Sequence, residues 1–366
     1  MKKITLIVLL FTVLISWVNP CIAQEKITIF KKDKPDIKLL WSRVADYSPT
    51  LRSVEAAEFS PNGKYVVSAA KFGYYLMLWR VADGFLYWEK VMDAEIEAVT
   101  FSPDGKYIAA GDEAYNVTIF DLEGNVIHVL EHDAAFDGIT WRPDGKFVGG
   151  GSEKGEVVLW NTETWEKEII LKAGGTVNSL QFSKDSKKLI AAGNRVDKQN
   201  PDAPRHGFVK SWDVEKDWQE IFDFKAQDRS TKSVRFHPDE KSFAIAGFAN
   251  QVKVFSYPDH NELAVFNFDK KLEAVEYHPE GNFLFAGGHG MEMYVYNTQD
   301  YKEVMKFPCR RVEYIDFTQD GRLMVTGHED SGLLSLYLLW SKLTGEGHYD
   351  ILQREILNNK DLKSKH

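Results

Sequence analysis

The sequence predicts an all-β fold: a seven-bladed β-propeller of four-stranded antiparallel blades, with the ring closed by the N-terminal strand. Three observations predict it. One short motif recurs seven times, the copies are spaced by about 40 residues, and each copy alternates apolar and polar residues as β-strands do. A period of about 40 residues is that of one four-stranded propeller blade.

The repeated motif starts with an aromatic residue and runs into a proline turn, as in the segment FSPDGK at residues 101–106. The seven aromatic anchors are Phe59, Phe101, Trp141, Phe182, Phe236, Tyr277 and Phe317. Their spacings are 42, 40, 41, 54, 41 and 40 residues. The one long spacing indicates an insertion of about 13 residues in the fourth unit, between its second and third strands.

Each unit has the pattern of four strands. Residues are numbered here from the anchor of their unit, which is position 0. Positions −2 and 0 are apolar and position −1 is polar in every copy, which predicts a strand, and the broken alternation from −5 to −2 predicts a bulge. The Pro-Asp-Gly segment predicts a tight hairpin turn into a second strand. A third strand ends near an aromatic residue, and a fourth completes the unit.

The ring is expected to close through the N-terminus. After Phe317 the chain supplies only three strands, which end near Trp340. The missing fourth strand can come from residues 36–44, and this pairing would cover the strand edges that an open ring exposes. Residues 26–30 are a candidate for one more short strand.

The first 23 residues have the layout of a secretory signal peptide. Lys2 and Lys3 precede an apolar run at residues 4–18, and small residues lead to a cleavage site after Ala23. The run is shorter than the ~20 residues of a membrane-spanning helix, although an uncleaved anchor remains the alternative. We therefore expect a signal peptide at 1–23, a propeller at 24–340 and a tail at 341–366 that is loop or in part helix. We expect a periplasmic or extracellular location, with no membrane span after cleavage.

The composition and the motif content argue against several classes of function. The net charge is −9, whereas a nucleic-acid-binding protein would be basic, so no nucleic-acid partner is expected. Cys21 leaves with the leader, so Cys309 has no partner for an internal disulfide. The sequence has no Gly-x-Ser-x-Gly, His-Glu-x-x-His, Cys-x-x-Cys or phosphate-loop motif. No catalytic residue, metal site or cofactor is predicted.

The repeats resemble those of the WD-repeat family from about residue 36 to 340. The resemblance is carried by FSPDGKYIAAG at residues 101–111 and EVVLWNTETWEKE at residues 156–168. Only Trp212 and Asp213 keep the Trp-Asp dipeptide, and His132 alone stands at the expected histidine position. The resemblance implies a platform that binds proteins or peptides and has no chemistry of its own.

Position −4 is the main candidate for a binding site. It is occupied by Glu55, Glu97, Asp137, Asn178, Lys232, Glu273 and Glu313. In a propeller this position lies near one mouth of the central channel. These residues therefore predict an acidic ring that is interrupted by one cationic residue, Lys232. Such a ring favours a basic peptide, an amine or a divalent cation. The alternative is a set of solvated rim residues in an acidic protein.

The inserted loop at residues 194–207 is the second candidate, through Arg195, Arg205 and His206. Long loops in compact folds are either functional or disordered. His206, His289 and His328 are expected on the same face, but they belong to different blades, and no three-histidine metal site is assigned.

Two functions follow from these patterns. The first is a non-enzymatic scaffold that binds a protein or peptide partner, a basic one being favoured, on its loop face. The alternative is a propeller hydrolase or lactonase with a metal site at the channel mouth.

Overall fold

The structure is a computed structural model that describes residues 36–196 and 204–340. The predicted leader, the strand expected at residues 26–30, the C-terminal tail and the middle of the inserted loop lie outside the described residues. Within the described ranges, no helix has the length and apolar character needed to cross a membrane.

The described residues form seven four-stranded antiparallel sheets, the seven blades. Blade 1 contains β2 (Val54–Phe59), β3 (Tyr65–Ala70), β4 (Tyr75–Arg80) and β5 (Phe85–Val91). Blade 2 contains β6 (Ile96–Phe101), β7 (Tyr107–Asp112), β8 (Asn116–Asp121) and β9 (Val126–Glu131). Blade 3 contains β10 (Phe136–Trp141), β11 (Phe147–Ser152), β12 (Glu156–Asn161) and β13 (Lys167–Lys172).

The other four blades follow the same order. Blade 4 contains β14 (Thr176–Phe182), β15 (Lys188–Arg195), β16 (His206–Asp213) and β17 (Gln219–Gln227), with a 3₁₀ turn at Val214–Lys216. Blade 5 contains β18 (Thr231–Phe236), β19 (Ser242–Gly247), β20 (Gln251–Ser256) and β21 (Glu262–Asn267). Blade 6 contains β22 (Leu272–Tyr277), β23 (Phe283–Gly288), β24 (Glu292–Asn297) and β25 (Glu303–Pro308). Blade 7 contains β26 (Val312–Phe317), β27 (Leu323–His328), β28 (Leu333–Trp340) and β1 (Asp36–Val44).

The blades form a closed ring, as the sequence predicts. Each innermost strand contacts the innermost strands of both neighbouring blades, and β26 contacts β2. The N-terminal strand β1 pairs antiparallel with β28, so that Val44 lies opposite Leu333. The Trp41 indole nitrogen donates to the Val81 carbonyl at 2.8 Å, and Arg43 Nε donates to the Gly84 carbonyl at 2.8 Å. Strand β1 therefore completes blade 7 and also links it to blade 1 by hydrogen bonds.

The turn after each anchor has the predicted tight geometry in all seven blades. The backbone N–H at position +4 donates to the carbonyl at position +1, at distances of 2.7–2.9 Å. Position +4 has a positive φ throughout, including Ser186 (65°) and Glu240 (60°), where the sequence has no glycine. The turn geometry is thus a property of the blade, and glycine is the residue that adopts it at least cost.

The predicted bulge is also present in every blade. The strand register shifts between positions −5 and −3 of all seven innermost strands, which leaves position −4 outside the ladder. A bulge turns a side chain away from the regular pleat. Position −4 is therefore free to point out of the blade and toward the channel.

The core consists of seven apolar clusters, each between two adjacent blades. The seven anchors are buried, with 3–7% of their surface exposed. One cluster joins Trp41 and Leu336 of blade 7 to Phe59 and Trp79 of blade 1. Burying one such large side chain contributes roughly 1.5–3 kcal/mol, so the packing between blades holds the ring rigid.

The insertion in blade 4 corrects one prediction. Asn194 pairs with Gly207 and Arg195 pairs with His206, so both strands continue into the segment expected to be a loop. Backbone hydrogen-bonding groups at this end of the insertion are satisfied by strand pairing.

Candidate functional site

The central channel is lined by positions −4 to −1 of the innermost strands. We call position −4 the upper ring, and its seven residues all line the channel: Glu55, Glu97, Asp137, Asn178, Lys232, Glu273 and Glu313. Five carboxylates and one ammonium group thus surround one mouth. The upper ring is acidic on blades 6, 7, 1, 2 and 3, and it is interrupted by an amide on blade 4 and a lysine on blade 5.

A second set of side chains surrounds the same mouth at position +12. The backbone N–H of each member donates to the carbonyl at position −6 of its own blade, at 2.9–3.1 Å. We call this set the outer ring: Lys71, Glu113, Glu153, Phe248, His289 and Glu329. Of these, only His289 is among the residues considered from the sequence. The constant offset of twelve residues from the anchor is the signal that would identify the others.

The blade 1 side of the mouth has its own counter-ion. Lys71 Nζ donates to Glu97 and lies 3.7 Å from Glu95 Oε2. Burial opposes the charge of Lys71, but the carboxylates of Glu55 and Glu97 raise its pKa. Burial and the nearby Glu97 raise the pKa of Glu55 to about 7. Lys71 therefore neutralises part of this sector, whereas burial and Glu97 keep Glu55 partly protonated near neutral pH.

Blades 2 and 3 bring together the three carboxylates of Glu113, Asp137 and Glu153, which we call the carboxylate triad. Their oxygens lie within 4.8 Å of one another. Among the described residues, no basic nitrogen lies within 4.0 Å of any of the three. Burial raises the pKa of Asp137 to about 7; Lys232 opposes this rise, and Glu97 and the other two carboxylates add to it. The carboxylate triad is therefore crowded and lacks a close cation.

Lys232 is the only cation of the upper ring. Its Nζ lies 5.7 Å from the centre of the Phe248 ring, within the range of a cation–π contact. In the described part of the chain, no carboxylate oxygen is within 4.0 Å of this nitrogen. Burial opposes its charge, but Glu273, Glu55 and Glu313 together raise its pKa. Lys232 therefore stays charged, and its charge interacts with several carboxylates of the upper ring.

Blades 6 and 7 bring together a histidine and two glutamates. His289 Nε2 lies 2.9 Å from Glu273 Oε1 and 3.4 Å from Glu329 Oε2. Glu313 places a carboxylate oxygen within 4.8 Å of the ligand atoms of Glu273 and His289. Burial, Glu273 and Glu55 raise the pKa of Glu313 well above its ordinary range. This sector differs from the carboxylate triad because it contains a nitrogen ligand.

Deeper in the channel, position −1 forms a lower ring of polar side chains that joins the blades. Its members are Glu58, Thr100, Thr140, Gln181, Arg235, Glu276 and Asp316. Three of them accept a hydrogen bond from the N–H of the next blade's anchor: Glu58 from Phe101 at 2.8 Å, Gln181 from Phe236 at 2.7 Å, and Asp316 from Phe59 at 2.8 Å. The polar side chains at position −1 therefore link the innermost strands of neighbouring blades. In the sequence they are visible only as the polar positions of an alternating strand.

Arg235 of the lower ring and Tyr314 at position −3 both line the channel below the upper ring. Arg235 Nε donates to Glu276 Oε2 at 2.6 Å, and its Nη1 donates to Ser179 Oγ at 3.0 Å. The guanidinium lies 5.7 Å from the centre of the Tyr314 ring. Tyr314 is the one large residue at position −3, and it packs against the core between blades 1 and 2. These two side chains narrow the channel below the upper ring.

The three binding candidates from the inserted loop do not line the channel. Arg195, Arg205 and His206 are absent from the channel lining. Arg195 makes a two-pronged ion pair with Asp223, at 2.6 and 2.9 Å. Arg205 Nη1 donates to Asn194 Oδ1 at 2.9 Å. A binding role for these three residues stays a prediction.

The three histidines considered together in the sequence lie in different environments. His328 is buried at 1% exposure, and its Nε2 is 2.8 Å from Thr326 Oγ1. Burial lowers the pKa of His328 to about 4. Only His289 of the three belongs to a group of side chains, within the described ranges, that could hold a metal ion.

Fold and channel together define the class of protein: a WD40-like β-propeller with seven blades around a charged channel. The chain belongs to the family of eukaryotic translation initiation factor eIF2A, whose sequence model matches residues 28–199 and 213–330, more than half of the chain. Comparison with curated proteins finds no match.

Proposed function

We propose that this protein is a non-enzymatic scaffold that binds a protein or peptide partner at the upper mouth of its channel. A basic side chain of the partner enters the carboxylate triad of Glu113, Asp137 and Glu153. The observation that carries this proposal is the convergence of these carboxylate oxygens within 4.8 Å, with no basic nitrogen of the described residues within 4.0 Å.

The electrostatics of the carboxylate triad support a cationic ligand. The pKa of Asp137 rises to about 7 because burial and neighbouring carboxylates disfavour its ionised form. A guanidinium or ammonium group would offset that repulsion and make charge-assisted hydrogen bonds with the carboxylates. Arginine suits the site best, because its planar fork can contact two carboxylates at once.

The overall charge supports a protein partner. A net charge of −9 attracts basic partners over long range and repels phosphate backbones. The family's name refers to translation initiation. Even in that setting, an acidic channel mouth favours contact with a basic protein segment over direct contact with RNA.

The leader-like segment supports a location outside the cytoplasm, in the periplasm or beyond the cell. Fractionation of cells that express the chain with and without residues 2–23 checks this part, since both products would remain in the cytoplasm if the segment were not a leader. The segments at residues 101–111 and 156–168 also support a relationship with the WD-repeat family in particular.

Neutralising the carboxylate triad tests the binding proposal. We expect the triple variant Glu113→Gln, Asp137→Asn, Glu153→Gln to bind a fluorescent oligoarginine peptide at least about tenfold more weakly than the unmodified protein, because each lost charge-assisted contact costs on the order of 1 kcal/mol. Fluorescence anisotropy at physiological ionic strength measures the affinity.

The matched control is the triple variant Glu163→Gln, Glu166→Gln, Glu168→Gln, whose three exposed glutamates lie on blade 3 away from the channel. It removes the same number of carboxylates and should change the affinity less than about twofold, because exposed charges are screened by salt. Equal losses in the two variants would mean that the peptide senses only the net charge, and the proposed site would be wrong.

A further inference from the structure

The group on blades 6 and 7 has a different chemistry from the rest of the mouth. Glu273 lies at the bulge of β22, His289 follows β23, and Glu313 lies at the bulge of β26. Their ligand atoms all lie within 4.8 Å of one another. We propose that Glu273, His289 and Glu313 bind one zinc ion. This inference is separate from the peptide proposal, since the carboxylate triad lies on blades 2 and 3.

The distances are compatible with one shared ion. His289 Nε2 and Glu273 Oε1 are 2.9 Å apart. Two ligand atoms at zinc distances of about 2.0–2.1 Å stand roughly 2.9–3.4 Å apart in octahedral or tetrahedral geometry. The separation of the first two ligands already matches that range. Glu313 is the third member, with a carboxylate oxygen within 4.8 Å of the other two ligand atoms.

A second observation points to a missing ligand. Only 6% of the surface of Glu273 is exposed, and its Oε2 has no hydrogen-bond partner among the described residues. Buried polar atoms in folded proteins nearly always have a partner, because an unsatisfied one loses its hydration without compensation. Glu273 lines the channel mouth, so an ion held by both of its carboxylate oxygens would satisfy Oε2 as well as Oε1.

Charge and ligand type favour zinc over calcium or magnesium. A neutral imidazole and two carboxylates carry a charge of −2, which one Zn²⁺ ion balances. Imidazole nitrogen is a good ligand for zinc, whereas calcium and magnesium prefer oxygen alone. Glu329 Oε2 lies 3.4 Å from the same His289 nitrogen and 3.5 Å from Arg311 Nη1, so this additional carboxylate already has a cation beside it.

A comparable group between blades 2 and 3 provides an internal contrast. His132 Nε2 lies 3.3 Å from Asp133 and 3.3 Å from Glu156. There, however, Lys154 pairs with Asp133 and Lys172 pairs with Glu156. Both carboxylates already have a cation, so this group should not compete for zinc.

The test is zinc binding by the purified protein after EDTA treatment, measured by equilibrium dialysis and by the shift in melting temperature. We expect one zinc ion per chain and a higher melting temperature, because a ligand that binds only the folded state stabilises it. Glu273→Gln and His289→Ala should each raise the zinc Kd at least tenfold. Lys232→Met should lower it, because the variant removes a positive charge close to Glu273 and Glu313.

His132→Ala is the matched control and should bind zinc as the unmodified protein does. The visible absorption of bound Co²⁺ gives a second measurement, since it reports ligand geometry independently of stability. The proposal would be overturned by an unmodified protein that binds no zinc, or by a His289→Ala variant with unchanged zinc affinity and an unchanged cobalt spectrum.

Discussion

At the scale of single residues, the channel shows how one kind of side chain serves two purposes. Glutamates of the upper ring face the open mouth, whereas Glu58 of the lower ring accepts hydrogen bonds from Phe101 N at 2.8 Å and Thr100 Oγ1 at 3.0 Å. Burial raises the pKa of Glu58 to about 7, although these two hydrogen bonds favour its ionised form. Glu58 therefore joins blades 1 and 2 and at the same time introduces a charge that the fold disfavours.

Replacing Glu58 with glutamine should keep the linkage between blades and remove its pH dependence. Blade 4 already uses Gln181 in the equivalent way, accepting from Phe236 N at 2.7 Å. With an ordinary pKa of 4.5 and a folded-state pKa of about 7, Glu58 binds more protons in the folded state between these values. Its contribution to the free energy of unfolding is then full below about pH 4.5 and declines as the pH rises to about 7.

We expect Glu58→Gln to be more stable than the unmodified protein at pH 8, by roughly 3 kcal/mol, and of similar stability near pH 4.5. Glu58→Ala should be less stable than Glu58→Gln by about 1–3 kcal/mol at both pH values, because Phe101 N loses its acceptor. Urea unfolding at the two pH values measures this. A glutamine variant that was less stable at pH 8 would contradict the assignment.

At the scale of elements, the repeat makes the turns and bulges predictable. Position +14, in the turn between the second and third strands, has a positive φ at Tyr115, Gly155, Asn250 and Met291. Such a conformation costs a residue with a side chain roughly 1–2 kcal/mol relative to glycine, whereas glycine costs about 0.5–1 kcal/mol in backbone entropy. The turn shape is thus imposed by the blade even where the residue is unsuited to it.

Met291 allows a direct comparison, because 48% of its surface is exposed and few contacts are lost on truncation. We expect Met291→Gly to be more stable than Met291→Ala by about 1 kcal/mol, since both variants lose the same side chain beyond Cβ and only glycine adopts φ of 58° without strain. Thermal unfolding compares the two variants. Equal stabilities would show that the turn relaxes and carries no strain.

Sequence predicts the elements better than it predicts their contacts between blades. The seven anchors, the seven turns, the bulge at position −4 and the closing strand β1 all follow from the period and the alternation of residues. The linkage of Glu58 to Phe101 does not, because a side chain on one blade meets a backbone group on the next. The meeting of Asp137 with Glu113 likewise joins different blades, and the pairing of Arg195 with His206 depends on a register that an insertion hides.

At the scale of the whole molecule, the closed ring turns scattered positions into one site. Seven apolar clusters fix neighbouring blades against each other, and β1 joins the last blade to the first. Charged groups that are about 40 residues apart in sequence therefore meet at one mouth with little freedom to separate. Carboxylates held together in this way repel each other, because the rigid ring does not let them move apart. A cationic ligand that binds between them relieves this repulsion. Zinc on blades 6 and 7 would also provide a metal at the channel mouth for the hydrolase alternative.

The most direct test of the cation-binding mouth is the number of protons released when the oligoarginine peptide binds at pH 7. Calorimetry in two buffers of different ionisation enthalpy measures it. Because the pKa of Asp137 is about 7 and a bound cation lowers it, we expect the release of roughly half a proton per chain, tighter binding at pH 8 than at pH 6, and less release from Asp137→Asn. Binding without proton release, or the same release from Asp137→Asn, would contradict the assignment of this mouth as the binding site.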